Sequence, residues 1–207
     1  MTKIKLCGLS RESDIETANA LLPDYIGFVF APKSKRYVTP DAARLLRARL
    51  SPKITPVGVF RDASADMVAG LLSEGIIDIA QLHGHEDASY ICTLRKMTDA
   101  PILQAYRIDT AADVYRAKES LADGILLDAG DGGTGECFDW QLLSGVGRDY
   151  FLAGGLTPKN VKTAICKYKP YAVDVSSGIE TGGYKDPEKM RAFVRAVQVA
   201  ENVTSRS

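Results

Sequence analysis

The segment Lys3-Ile-Lys-Leu-Cys-Gly8 forms the first predicted strand and decides how the later segments are interpreted. Side chains alternate along a strand, so its two aliphatic residues share one face while Lys5 and Cys7 share the other. A strand with an apolar outer face and a polar inner face suits a barrel whose exterior is covered by helices and whose interior opens onto a site.

Similar strand patterns recur along the whole chain. The eight predicted strands begin near residues 3, 25, 54, 77, 102, 124, 150 and 171, which is the spacing of one βα unit. We therefore predict a single-domain α/β protein, a parallel eight-stranded (βα)8 TIM barrel over residues 1–207. Residues 139–144 make a short sixth helix, so an open doubly wound sheet is the alternative fold.

Four places in the sequence carry signals for the start of a helix. Ser10 is the predicted N-cap of the first helix. Thr39-Pro40 and Thr157-Pro158 each place a capping threonine before a proline at the first helical position. Asp186-Pro187 precedes the most regular helical pattern of the chain.

Composition limits the classes of partner. The 207 residues include 26 basic and 26 acidic side chains, without a basic run, so we predict no nucleic-acid partner. No apolar run reaches the roughly 18 residues of a membrane span, and no signal segment is visible. The four cysteines, Cys7, Cys92, Cys137 and Cys166, are too widely spaced for a disulfide framework, so we expect reduced thiols in a cytoplasmic protein.

Polar residues collect where the predicted strands end. Cys7, His83, Asp128, Asp174 and Ser176 all lie at the carboxyl end of a strand. The loops after the strands form the active face of such a barrel. A closed barrel would therefore place these side chains around one opening.

Two glycine-containing loops follow the last two strands. They contribute Gly154 and Gly155 after the seventh strand, and Ser176, Ser177 and Gly178 after the eighth. Backbone N–H groups at this position of a barrel converge on an anion. Glycines after strands also simply make turns, but two such loops on adjacent strands favour a phosphate site.

Asp128 and Cys7 are the candidate chemical groups. Asp128 precedes the glycine-rich loop 130–135, which resembles a mobile loop over a substrate, although an aspartate there can also cap its own loop. Cys7 shares a face with Lys5, whose charge would lower the pKa of the thiol from about 8.5. The alternative is a buried apolar cysteine, as we expect for the helical cysteines.

Arg36 and two histidines complete the candidates. The guanidinium of Arg36 matches a substrate carboxylate in geometry, although the residues alone favour a solvated loop charge. His83 and His85 form a His-x-His pair without supporting ligands, so we predict no metal site.

These residues stand in motifs that resemble the phosphoribosylanthranilate isomerase family over nearly the whole chain. The motifs are Lys5-Leu-Cys7-Gly8 with Asp14, Phe28-Val-Phe30 with Ser34-x-Arg36-x-Val38, Val57-Gly-Val-Phe60, Gln81-Leu-His83-Gly84, Asp128 with Gly132-Gly-Thr-Gly135 and Phe138-Asp-Trp140, Leu152-Ala-Gly-Gly-Leu156 with Pro158 and Asn160-Val161, and Asp174-Val-Ser-Ser-Gly178. Arg61-Asp62 departs from the family pattern in a loop.

The resemblance implies an isomerase of tryptophan biosynthesis, part of aromatic amino-acid biosynthesis. It would catalyse the Amadori rearrangement of N-(5-phosphoribosyl)anthranilate to 1-(2-carboxyphenylamino)-1-deoxyribulose 5-phosphate without a cofactor. By carry-over, Asp128 would be the general acid, Cys7 the general base, and Arg36 the carboxylate site, with His83 and Asp174 as further substrate contacts. The partner would be a small phosphoribosyl molecule, and the protein a monomer or a homodimer.

Two other functions remain as alternatives. The sibling isomerase of histidine biosynthesis performs the same rearrangement but has a carboxylate where this chain has Cys7. A non-catalytic phosphosugar-binding barrel would lack Cys7 or Asp128, and both are present.

Overall fold

The computed structural model describes residues 1–128 and 146–204. Eight parallel strands close into one barrel in sequence order, which confirms the predicted TIM barrel and excludes the open doubly wound sheet. The strands are β1 (Lys3–Cys7), β2 (Tyr25–Val29), β3 (Thr55–Phe60), β4 (Ile79–Leu82), β5 (Ile102–Arg107), β6 (Gly124–Asp128), β7 (Tyr150–Ala153) and β8 (Ala172–Val175). The predicted loop 130–135, the predicted helix 139–144 and Cys137 lie outside the described residues.

Helices follow most strands and cover the outside of the barrel. They are α1 (Glu12–Leu21), α2 (Pro40–Arg49), α3 (Ala65–Ser73), α4 (Ala88–Arg95), α5 (Ala111–Lys118), α6 (Val161–Tyr168) and α7 (Pro187–Thr204). A 3₁₀ turn (Ser177–Ile179) and a short antiparallel hairpin, β9 (Glu180–Thr181) and β10 (Tyr184–Lys185), lie between β8 and α7. None of the helices in the described part of the chain is long and apolar enough to cross a membrane.

Two of the predicted helix starts are confirmed. The hydroxyl of Thr39 accepts a hydrogen bond from the backbone N–H of Ala42 at 3.2 Å, and α2 begins at the following proline. A carboxylate oxygen of Asp186 accepts the backbone N–H of Glu188 at 2.9 Å, and α7 begins at Pro187. In both cases a side chain next to a proline satisfies an otherwise unpaired N–H of the first turn.

The other two predicted starts are wrong. Ser10 does not cap α1, because Asp14 reaches back and accepts the backbone N–H groups of Ser10 and Arg11 at 3.0 and 3.1 Å. Thr157 does not begin a helix, because Asn160 accepts the backbone N–H of Thr157 at 2.7 Å and delays α6 by a turn. A side chain three or four residues further along defines the start in each case.

The barrel interior is apolar at one end and polar at the other. A cluster of buried apolar side chains fills the interior toward the amino ends of the strands, namely Leu103, Leu126, Phe151 and Ala172, and Ala153 at the end of β7 joins it. One layer further along β1 and β8, Lys5 lies beside Asp174 in the register of the strands. The floor of the barrel is therefore closed, and polar groups are available only toward the carboxyl ends of the strands.

Candidate active site

A cavity of about 470 Å³ lies at the carboxyl ends of the strands. Its wall includes every predicted site residue except Gly178, that is Cys7, Arg36, His83, Asp128, Gly154, Gly155, Asp174, Ser176 and Ser177. These residues come from six different strands or the loops that follow them, so the closure of the barrel brings them together.

The thiol of Cys7 is buried in the wall of this cavity, with 7% of the residue exposed. Gly27 is its register partner on β2, and a Cβ at Gly27 would lie 2.7 Å from the Cys7 sulfur. Burial raises the pKa of the thiol, and this outweighs the opposing effects of Lys5 and Lys185. Lys5 lowers the pKa of the thiol as predicted, but the net pKa lies above the usual value because the burial of the thiol, which the sequence did not reveal, has the larger effect.

Lys5 and Asp174 form a buried ion pair beneath the cavity. The Lys5 ammonium donates to Asp174 Oδ2 at 2.9 Å, and the Lys5 side chain is fully buried. Burial opposes the charge on Lys5, but the negative charges of Asp174 and Cys7 outweigh it and raise the pKa of Lys5. Asp174 Oδ1 has no hydrogen-bond partner among the described residues, so it can accept a hydrogen bond from a bound molecule.

Asp128 lies at the end of β6 beside His83. The distance from His83 Nε2 to Asp128 Oδ2 is 3.3 Å. The side-chain amide nitrogen of Gln81 lies 3.0 Å from His83 Nδ1. The ring of His83 therefore lies between Gln81 and Asp128, and both His83 and Asp128 face the cavity.

Arg36 is partly buried and paired with a carboxylate, so it is not a free loop charge. Its Nε and one Nη donate to the two carboxylate oxygens of Glu180 at 2.6 and 2.9 Å. The Lys185 ammonium, 4% exposed as a residue, donates to the same Glu180 at 2.6 Å. Burial raises the pKa of Glu180, but its bonds to Arg36 and Lys185 outweigh burial and lower it below the usual range.

Glycines shape the loops after β7 and β8 in two different ways. Gly154 and Gly155 adopt φ angles of 87° and 63°, a region that favours glycine. Gly178 does not line the cavity, but a Cβ there would overlap the carbonyl oxygen of Leu156 in the neighbouring loop. The second loop therefore packs directly on the first, and Ser176 and Ser177 face the cavity.

The second histidine of the His-x-His pair lies elsewhere. His85 is exposed and pairs with Asp62 at 3.2 Å, whereas His83 faces the cavity. No cluster of three or more potential metal ligands is found among residues 1–128 and 146–204.

Four residues near the site were not predicted from the sequence. Gly27, Gln81, Glu180 and Lys185 were missed, and only Gly27 carried a local signal, since a glycine inside a strand marks a close approach. We expected Cys92 to be a buried apolar residue, and this prediction is wrong, because Cys92 is exposed.

Comparisons with known proteins agree with this geometry. Residues 4–196 match the family model of N-(5'-phosphoribosyl)anthranilate (PRA) isomerase. A relative from Acetivibrio thermocellus, an N-(5'-phosphoribosyl)anthranilate isomerase, is 41% identical, and the alignment covers 97% of this chain and 98% of the relative. The phosphoribosyl anthranilate isomerase of Thermotoga maritima superposes with a TM-score of 0.88 at 33% identity, covering 96% of this chain and 100% of that one.

A further solved structure contains a bound ligand. It is a phosphoribosyl anthranilate isomerase in complex with reduced 1-(o-carboxyphenylamino)-1-deoxyribulose 5-phosphate. It superposes with a TM-score of 0.86 at 32% identity and covers 96% of this chain and 100% of that chain.

Proposed function

The chain belongs to the N-(5'-phosphoribosyl)anthranilate isomerase family, and we propose that it isomerises N-(5-phosphoribosyl)anthranilate to 1-(2-carboxyphenylamino)-1-deoxyribulose 5-phosphate in tryptophan biosynthesis. One observation carries the proposal. Cys7 and Asp128, three strands apart around the barrel, line the same cavity as Arg36 and the loops after β7 and β8. An acid, a base and two anion sites are what this rearrangement requires.

Asp128 acts as the general acid in the first step. Its carboxyl O–H protonates the ring oxygen of the ribose, the bond from that oxygen to C1′ breaks, and the nitrogen lone pair forms the C=N bond of a Schiff base. His83 Nε2 lies 3.3 Å from Asp128 Oδ2, so a protonated imidazole nitrogen there stabilises the carboxylate that remains after the proton transfer.

Cys7 acts as the general base in the second step. Its thiolate removes the proton from C2′, and the electrons of that C–H bond form the C1′=C2′ bond of an enolamine as the C=N electrons return to nitrogen. Transfer of a proton to C1′ and loss of the C2′ hydroxyl proton then give the ketone. Lys5 and Lys185 both stabilise the thiolate by their charge, and burial opposes them.

The substrate lies across the cavity with its two anionic ends held apart. Arg36 on the loop after β2 binds the anthranilate carboxylate, because a guanidinium and a carboxylate form parallel hydrogen bonds. Gly154, Gly155, Ser176 and Ser177 surround the 5′-phosphate with backbone N–H groups, and Gly178 contributes by letting the second loop pack on the first. His83 and the unpaired oxygen of Asp174 contact the sugar hydroxyls.

The direct test supplies freshly prepared N-(5-phosphoribosyl)anthranilate and follows the ¹³C spectrum of substrate labelled at C2′. We expect a new ketone carbon at C2′, formed by the wild-type protein only. Turnover of the corresponding histidine-pathway ribotide in place of this substrate would identify the sibling isomerase. Binding without any ketone signal would identify a non-catalytic phosphosugar-binding barrel.

A further inference from the structure

The guanidinium of Arg36 has two edges that can each donate a pair of hydrogen bonds, and the described residues occupy only one of them. A guanidinium has five N–H groups in a plane, and the Nε and Nη2 atoms of Arg36 face the two oxygens of Glu180. Among the residues that the structure describes, the Nη1 atom of Arg36 has no hydrogen-bond partner. A second carboxylate can therefore bind the Nη1–Nη2 edge while Glu180 stays in place.

Glu180 holds Arg36 from behind the cavity wall. Arg36 lines the cavity, whereas neither Glu180 nor Lys185 is part of its lining. The side chain of Glu180 is 11% exposed and that of Arg36 is 30% exposed, so the exposed part of the pair belongs to the arginine. A competitor for the substrate carboxylate would have to stand inside the cavity, and Glu180 does not.

Lys185 fixes Glu180 in turn. Its ammonium donates to Glu180 at 2.6 Å, to the carbonyl oxygen of Ser176 at 2.9 Å and to the hydroxyl of Ser176 at 3.2 Å. These three bonds use all three ammonium donors. The network thus ties the carboxylate site at Arg36 to the backbone of the loop that follows β8.

The hairpin that carries Glu180 and Lys185 is itself held at several points. Arg11 donates to the backbone carbonyl of Lys185 at 2.6 Å, and its guanidinium lies over the Tyr184 ring. Lys189 donates to the carbonyl oxygen of Glu180 at 2.6 Å. The hairpin is therefore a fixed support.

Gly8 brings the other side of Arg36 into contact with the barrel. A Cβ at Gly8 would lie 2.5 Å from Arg36 Cδ and 3.3 Å from Ser176 Oγ, so the arginine stem packs on bare backbone. With the stem against Gly8 and one donor edge against Glu180, the guanidinium has a single orientation toward the cavity.

We propose that Glu180, supported by Lys185, is a positioning residue that sets the guanidinium of Arg36 for the substrate carboxylate and thereby selects substrates that carry one. The proposal rests on the function proposed above. Glu180 makes no contact with the reacting carbons, so its effect belongs to binding and not to the chemical step.

The test is a mutant cycle between Glu180 and Arg36. Glu180→Gln replaces one carboxylate oxygen that faces Arg36 with an NH₂ donor. We expect KM to rise about tenfold, because the loss of one charge-assisted hydrogen bond weakens binding by about that factor. The value of kcat should stay within about twofold of wild type. Arg36→Met should raise KM further, and Glu180→Gln should add little in the Arg36→Met background. Glu188→Gln, an exposed α7 carboxylate paired with Arg191, removes the same charge and should change nothing.

Calorimetry with two ligands distinguishes a positioning role of Glu180 from a purely structural one. Reduced 1-(o-carboxyphenylamino)-1-deoxyribulose 5-phosphate should bind about tenfold more weakly to Glu180→Gln, whereas its counterpart without the carboxylate should bind equally to both proteins. Glu180→Asp keeps the charge beside buried Lys185, so it preserves the fold. Its side chain is one methylene shorter, so it should weaken the binding of the ligand that carries the carboxylate and leave the other ligand unaffected.

Three results would overturn the proposal. A lower KM in Glu180→Gln would make Glu180 a competitor of the substrate. If Glu180→Gln weakened the binding of both ligands equally, Glu180 would act on the fold or on the phosphate loop. If its effect on KM added to that of Arg36→Met, Glu180 would act independently of the arginine. Failure of the wild type to turn over the anthranilate substrate, with selective binding intact, would reject the proposed reaction and leave the role of Glu180 standing.

Discussion

At the scale of single residues, the environment of Cys7 favours the neutral thiol over the thiolate. Burial raises its pKa, while Lys5 and Lys185 act in the opposite direction and limit the rise. A thiol with a raised pKa is a rarer but stronger base when ionised. The proposed chemistry therefore depends on the two buried cations that keep a reactive fraction ionised near neutral pH.

Cys7→Ser should remove nearly all activity and leave the fold intact. A serine hydroxyl ionises far less readily than a thiol, and a positioned base contributes about 10² to 10⁴-fold to the rate. The measurement is kcat for the folded variant, with circular dichroism as the check on the fold. Cys92→Ser changes an exposed thiol on α4 in the same way and should keep wild-type activity. Retention of more than about a tenth of kcat in Cys7→Ser would remove the base role from this residue.

Asp128→Asn should lower kcat by about 10² to 10⁴-fold, because it preserves shape but removes the transferable proton. The remaining kcat/KM should rise with pH to beyond the ordinary thiol value of about 8.5, since Cys7, with its raised pKa, is then the titrating group of the proposed pair. Binding of a stable product analogue should barely change. Near wild-type turnover in this variant would show that Asp128 is not the acid.

At the scale of elements, the strands were predictable and the caps were predictable only in part. Apolar runs bounded by turn residues located all eight strands, because burial on both faces leaves a clear sequence signal. Thr39 was a correct cap, since its hydroxyl accepts the backbone N–H of Ala42. Ser10 and Thr157 were wrong because Asp14 and Asn160 accept the backbone N–H groups of Ser10, Arg11 and Thr157, and each helix then starts further along the chain. Spacing alone does not show which of two nearby side chains will make such a bond.

The packing between the two phosphate loops gives a prediction at the same scale. Gly178→Ala would drive a methyl group into the carbonyl oxygen of Leu156, so the loop after β8 must move and KM should rise by about tenfold or more, with less effect on kcat. Gly75→Ala, after α3 and outside the cavity, is the matched change, because no described atom lies within 4 Å of its added Cβ and its φ of 67° is positive. It should cost only the strain of a positive φ, on the order of 1 kcal/mol of stability. Equal KM values for the two variants would contradict the packing argument.

At the scale of the whole molecule, barrel closure decides which distant residues meet. β1 and β8 pair, so Lys5 and Asp174 become neighbours although 169 positions separate them. The strand ends could be assigned to one opening from sequence, since every parallel strand of a closed barrel points the same way. The Arg36–Glu180 pair could not, because Arg36 lies on the loop after β2 and Glu180 on the short β9–β10 hairpin, and the pattern of the eight barrel strands specifies the conformation of neither.

Closure around buried titratable groups also makes the fold sensitive to alkali. Folding raises the pKa of both Lys5 and Cys7, so the folded protein holds their protons to higher pH than the unfolded chain. A group with a raised pKa stabilises fully below its unfolded pKa and loses that contribution as pH rises toward the folded value. For Cys7 the loss begins near pH 8.5, and for Lys5 it begins only above about 10.4.

The free energy of unfolding, measured by denaturant titration, should therefore begin to fall as the pH passes about 8.5, with a slope of at most about 1.4 kcal/mol per pH unit for this one proton. Cys7→Ser removes the titrating thiol and should postpone the decline until Lys5 and the tyrosines whose pKa folding raises, Tyr25, Tyr90 and Tyr150, begin to lose their protons. Cys92→Ser retains the buried thiol and should show the wild-type slope. If wild type and Cys7→Ser declined in parallel, the thiol of Cys7 would ionise equally in the folded and unfolded states, and the rarity of the thiolate in the proposed mechanism would lose its physical basis.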